Sequence, residues 1–136
     1  MAIKFPSEEW IKELGIRLNA SESYAQAAAN WVGDQIFVIL PDDHYSDTTY
    51  VYVNLEHGKA SNPRQLRGLE ELKASFTTSA LFSTWRRVLE GHLDPISAIM
   101  SNKIKLVGSL AQIQRNPRAT VELVKVAASI GSDFGS

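Results

Sequence analysis

The chain contains no cysteine, which removes disulfide frameworks, thiolate nucleophiles and sulfur-ligated zinc sites at once. Nor is there an excess of either charge: 14 Lys and Arg stand against 15 Asp and Glu, a formal net charge of −1. No basic footprint for a nucleic-acid backbone stands out. No run approaches the roughly 18 apolar residues of a membrane span, and "MAIKFPSEEW" lacks the apolar stretch of about 7 to 15 residues that a secretory signal carries. The phosphate loop, the G-x-G-x-x-G fingerprint and the G-x-S-x-G elbow are missing as well. These absences lead us to expect a cytoplasmic protein with no integral membrane segment and no nucleic-acid partner.

What is present is ordinary globular material. With 136 residues, 44% of them hydrophobic and 21% charged, the chain is long enough to bury about two thirds of its unfolded surface. The expectation is one domain over 1–131 followed by a polar tail, 132–136.

Local patterns predict the order of elements. Ser7 followed by Glu8 and Glu9 is a helix start, a hydroxyl cap with carboxylates at the positive end of the dipole. Trp10, Ile11, Leu14 and Leu18 give that helix one apolar stripe. Asn19 and Ser21 mark a break and a second cap, after which Tyr24, Ala27, Ala28 and Trp31 repeat the spacing up to Gly33-Asp34. "QIFVIL" is continuous and β-branched, as a strand covered on both faces would be, and it ends at Pro41. "TTYVYVNL" alternates Tyr50, Tyr52 and Asn54 with Val51, Val53 and Leu55, so its two faces differ. A turn at His57-Gly58-Lys59 leads into a strand that Pro63 confines to an edge, because proline cannot donate to a ladder. "ELKASFTTS" is read as a fourth strand with Leu72, Ala74 and Phe76 on one side.

The period then changes. A helix capped by Ser79 or a neighbouring threonine turns Leu81, Phe82, Trp85, Val88 and Leu89 inward and Arg86, Arg87 and Glu90 outward, and Gly91 ends it. Asp94 caps a short helix with Pro95 at its first position and Ile96, Ile99 and Met100 as its apolar edge. "NKIKLVGSLAQI" is read as a fifth strand, Ile104 and Leu106 opposite Lys103 and Lys105. Asn116-Pro117 opens a last helix whose inward stripe is Thr120, Leu123, Val124 and Ala127. Strands grouped before helices predict an α+β fold, a five-stranded, mostly antiparallel sheet covered on one face by helices.

Candidate chemistry is sparse. Asp42, Asp43, His44 and Asp47 fall within "DDHYSD", a donor set a hard cation accepts, but the composition is that of a solvated turn. His57 and His92 sit beside glycines at turns and read as surface residues. No catalytic residue, metal ligand or cofactor is therefore assigned. The large apolar residues fit either a plain core or the wall of a cavity, and composition leaves both open. Met100, a flexible thioether in a short helix, is the kind of residue that adapts to a variable ligand.

From Leu72 to Arg115 the chain resembles the sterol carrier protein type 2 family in the order of its features. Trp85 lies in a helix, Gly91 follows it, Leu93-Asp94-Pro95 steps into a short helix with the pair Ile99-Met100, and Lys103 to Leu106 close on Gly108. "DQIFVIL" and "TTYVYVNLEHGKA" resemble the family's first two strands and turn, so the likeness spans nearly the whole chain. Asn102 stands where the family often has Gly, a tolerable change because Asn enters the left-handed conformation more readily than most residues. Ser109 stands where an acidic residue often follows. The absence of a peroxisomal address fits a small free-standing microbial member.

The resemblance implies an apolar tunnel that binds and transfers a hydrophobic small molecule of the sterol, fatty acid or acyl-CoA class without catalysis. It assigns to the lining Phe37 and Ile39, Val51 and Val53, and Phe76 from the sheet. Phe82, Trp85 and Leu89 follow from the next helix, then Ile99 and Met100 from the short one. Ile104, Leu106 and Val124 complete the set. Movement of 95–101 or of the last helix would admit the ligand. Two competing expectations are an accessory module with a filled core, which dimerises or docks an enzyme through the Tyr50 and Tyr52 face, and an enzyme using His44 or His57. Transient membrane contact and a homodimer are the further partners considered.

Overall fold

The computed structural model describes residues 2–135. Strand β1 (Ile3–Lys4) leads through Ser7, whose Oγ accepts the Trp10 N–H at 3.0 Å, into helix α1 (Glu8–Asn19). Ser21 Oγ caps α2 (Glu22–Ala27) in the same way, accepting from Tyr24 N–H. Both caps are where the sequence places them. Helix α2 stops well short of Gly33, so the buried Trp31 reaches the core from a non-helical segment.

Five strands form the main sheet: β2 (Gln35–Leu40), β3 (Thr49–Glu56), β4 (Lys59–Leu66), β5 (Phe76–Leu81) and β6 (Lys105–Val107), in the order β4-β3-β2-β5-β6. The β2–β5 pairing is parallel and the other three are antiparallel, so the sheet is mixed. β4, which carries Pro63, is an edge strand as expected. Alternation decides what each face buries. Phe37, Ile39, Val51, Val53 and Leu55 join the main core under the helices, while Ile36, Val38, Tyr52 and Leu66 cluster on the opposite face.

The fourth strand is shorter than the sequence predicts. Asp34 fixes its start, Oδ1 accepting the Ser75 N–H at 2.7 Å and the backbone carbonyl accepting the Phe76 N–H at 3.1 Å. The residues before it form a loop whose Leu72 and Ala74 pack on Ile36, Val38, Tyr52 and Leu66. That loop corrects the expectation of an open tyrosine face: Tyr52 is buried, and its hydroxyl donates to Asp34 Oδ2 at 2.8 Å.

Helix α3 (Phe82–Leu89) follows β5 directly, and Ser79, expected to cap it, lies inside β5 paired with Lys105. The capping comes from elsewhere. Asp42 Oδ2 accepts both the backbone N–H and the hydroxyl of Ser83, each at 2.7 Å. Asp94 caps α4 (Pro95–Met100) through the Ser97 N–H, as its sequence predicts. Asn102 then turns the chain at φ 62°, the left-handed conformation its side chain tolerates.

β6 spans three residues only, which corrects the long fifth strand expected over 102–113. Gly108 ends it at φ 142°, where a Cβ would lie 2.7 Å from the Phe76 ring and 2.8 Å from the Ser75 carbonyl. Ser109 caps the next element, α5 (Leu110–Arg115), accepting from Gln112 N–H. Helix α6 (Pro117–Ala128) packs against α1, α2, α3 and α4. In the stretch read as a polar tail, β7 (Ser132–Asp133) pairs in parallel with β1, and the Phe134 ring sits 5.8 Å from that of Phe5. Among the described residues no helix is long and apolar enough to cross a membrane.

Candidate functional site

Two cavities lie between the sheet and its helical cover. The first, of about 80 Å³, has Gln35, Phe37, Leu55 and Thr78 from the sheet on one side. Tyr24 of α2, Trp31, Trp85 and Val88 of α3, Pro95 and Ile99 of α4 close it from above, with Ile104 and Ile113 at one end. Helix α6 contributes Ala119, Thr120, Leu123 and Val124. The second, of about 50 Å³, lies against α1, between Phe5, Trp10, Leu14, Ile39, Val51, Leu89 and Ala127. Phe37, Trp85, Val88, Leu123 and Val124 border both, so the two cavities share a wall.

Backbone carbonyls hold the two large indoles of the first cavity. Trp85 Nε1 donates to the Val38 carbonyl at 2.9 Å and Trp31 Nε1 to the Gly33 carbonyl at 3.0 Å. With their only polar atoms satisfied inside the protein, both rings present apolar surface to the cavity. Trp31 also packs on Phe76, centroids 5.0 Å apart, and Gly33 makes room: a Cβ there would lie 2.6 Å from the Phe76 ring.

Eight of the residues expected to line a tunnel border a cavity. Phe37, Trp85 and Val124 border both, Ile99 and Ile104 the first, and Ile39, Val51 and Leu89 the second. Five do not. Val53 and Phe76 are buried in the packed core, Phe82 is stacked on Tyr45 with centroids 5.0 Å apart, and Leu106 is half-buried against the same core. Met100 is 58% exposed at the end of α4, because its helical phase carries it outward next to the inward Ile99.

Among the lining residues outside that set, two kinds stand out. Trp10, Leu14, Tyr24, Leu123 and Ala127 belong to helical stripes already evident as core, and only their depth makes them lining. Gln35 and Thr78 are polar, and their signal is strand alternation: each lies two residues from an inward aromatic, Phe37 or Phe76.

Among the described residues none that is charged borders either cavity. Burial pushes the Tyr24 phenol up to about 12. His44, His57 and His92 are exposed and outside both cavities, with His57 Nδ1 2.9 Å from the Ala29 carbonyl. Among the described residues no group of three or more His, Asp or Glu converges as metal ligands.

Neither a family sequence model nor a curated protein sequence matches the chain. Solved structures do. The Thermus thermophilus protein TT1886, described as a candidate sterol carrier protein, superposes with a TM-score of 0.86 at 32% identity, covering 97% of this chain and 93% of that one. A crystal structure of sterol carrier protein 2 gives 0.83 at 34% identity, over 92% of this chain and 98% of that one. A UbiJ-SCP2 ubiquinone synthesis protein shares the fold at 16% identity, with a TM-score of 0.51 over 85% of this chain and 87% of its own.

Proposed function

Since this chain belongs to the sterol carrier protein 2 family, we propose that it reversibly binds and transfers an amphiphilic lipid in the space between its sheet and helices, without covalent chemistry. The observation that carries this reading is the pair of apolar cavities that share a wall of Phe37, Trp85, Val88, Leu123 and Val124. Rotation of those side chains joins them into one elongated site.

Both cavities are smaller than the roughly 300 to 1,000 Å³ of small-molecule pockets, so the ligand enters by displacing part of the cover. Helix α4 is the natural part to move: it is six residues long and buries only Ala98 fully. Each methylene taken out of water contributes about 0.8 kcal/mol. Ten of them amount to roughly 8 kcal/mol, the scale of micromolar binding before association costs are subtracted.

A filled-core accessory module is the second reading, favoured by the small cavity volumes. Quenching of tryptophan emission by a brominated alkyl chain separates the two. Trp31 and Trp85 border the first cavity and Trp10 and Trp85 the second, so a carrier shows saturable quenching at one ligand per chain. A filled-core module shows only the weak, linear quenching of collisions in solution.

A further inference from the structure

The two cavities differ in chemistry. Among the described residues the second is bordered by aliphatic and aromatic residues, whereas those around the first include Tyr24, Gln35, Thr78 and Thr120. Thr78 Oγ1 is fully buried with no hydrogen-bond partner among the described residues. Gln35 and Thr78 are 8% and 7% exposed and Tyr24 is 1% exposed. Among the described residues no hydrogen bond engages the side-chain amide of Gln35 or the hydroxyl of Tyr24.

These groups are neighbours by construction. In the parallel β2–β5 pairing Gln35 lies opposite Phe76 and Phe37 opposite Thr78, so Gln35 and Thr78 stand one diagonal step apart on the helix-facing side of the sheet. Tyr24 approaches the same cavity from α2. Buried polar groups are nearly always paired in folded proteins, and an orphan calls for an explanation such as a ligand. With no Lys, Arg or His among the described residues at its border, the cavity offers no side-chain counterion to a carboxylate or phosphate, whose burial unpaired is far costlier than that of a hydroxyl.

We propose that the first cavity is a socket for an uncharged polar end group, a hydroxyl or carbonyl hydrogen-bonded by Thr78, Gln35 and Tyr24, while the ligand's hydrocarbon crosses the shared wall into the second cavity. This rests on the carrier reading and adds a ligand class and an orientation to it. The ligand lies polar end inward, and ionised lipids are disfavoured.

The test measures binding of dodecan-1-ol, 1-chlorododecane and dodecanoate to the wild-type chain and to Thr78→Val, by displacement of a fluorescent alkyl probe at about pH 8, where a carboxylate is ionised. Wild type is expected to prefer the alcohol to the chloride by about 3- to 10-fold, the worth of one hydrogen bond, and to bind dodecanoate most weakly. Thr78→Val is expected to bring alcohol and chloride to within about twofold of each other, leaving the chloride's own affinity unchanged or higher. Its urea midpoint should not fall, because the hydroxyl it removes has no partner.

Equal binding of alcohol and chloride by wild type, tighter binding of dodecanoate, or a preference that survives Thr78→Val overturns the socket while the carrier reading stands. If none of the three compounds binds, both fall.

Discussion

Trp85 donates its indole N–H to the Val38 carbonyl at 2.9 Å and stands perpendicular to Phe37, ring centroids 5.9 Å apart, on the wall the two cavities share. One residue of α3 is thus tied to the backbone of β2 and also divides the interior. Trp85 is partly buried, so Trp85→Ala should cost at most about 3 to 5 kcal/mol, the range for deleting a large aromatic from a core, read as a lower urea midpoint at unchanged slope. Because the partition opens, the variant should still bind an alkyl probe. A loss below about 1 kcal/mol would place Trp85 outside the packed wall.

The link between Asp34 and Tyr52 makes stability acid-dependent. Burial raises the Asp34 carboxyl, but bonds from the Ser75 N–H, the Tyr52 hydroxyl and the Ser75 hydroxyl outweigh it, and the net result lies below the ordinary 3.8. A group whose folded pKa is depressed contributes fully above its unfolded value, and the contribution is lost as pH falls through the folded one. Asp34→Asn should therefore flatten the drop in urea midpoint below about pH 4. An acid limb as steep in the variant as in wild type would show that Asp34 carries none of it.

Two tyrosines should behave differently when cut back to phenylalanine. Tyr52, raised to about 12 by burial and then by its bond to Asp34 and that residue's charge, gives up a hydrogen bond to a carboxylate. Tyr52→Phe should lose about 1.5 to 3 kcal/mol at neutral pH. Tyr24, raised to about 12 by burial alone, gives up nothing of the kind, and Tyr24→Phe should be close to neutral.

For both wild-type phenols the folded value exceeds the unfolded 10.0, so their contribution is complete below 10.0 and is lost as pH rises toward about 12. Ultraviolet titration of tyrosinate in each variant checks the assignment. Ionisation of both phenols near 10.0 in the folded protein would refute it.

Asp42 reaches across the fold to cap α3. Asp42→Ala frees the Ser83 N–H and should cost about 0.5 to 2 kcal/mol. Since α3 carries Trp85 and Val88, amide exchange in its first turn should accelerate together with a loss of affinity for an alkyl probe. Unchanged exchange at Ser83 would exclude the capping role.

The residues show why some of this is legible in the sequence and some is not. The caps at Ser7, Ser21 and Asp94 act on an N–H three residues away, and Asn102 turns the chain by its own left-handed tolerance, so a local reading finds them. The cap from Asp42 to Ser83 spans 41 positions and leaves no local trace.

The fifth strand looks longer in the sequence than it is, because the alternation of Ile104 and Leu106 picks up again at Leu110. Gly108 breaks it, and Ser109 restarts the chain as a helix. At the site, a search for apolar residues finds Phe37, Trp85 and Val124, but by its own logic passes over Gln35 and Thr78. It also selects Phe76 and Phe82, whose burial comes from packing on Trp31 and Tyr45.

The central claim, that the space between sheet and helices takes up one lipid, is tested most directly by native mass spectrometry of the purified protein before and after organic extraction. The account predicts an adduct of one lipid per chain that extraction removes and that dodecan-1-ol restores. A bare protein mass that stays unchanged after incubation with alcohols, fatty acids, acyl-CoA and sterols would contradict it.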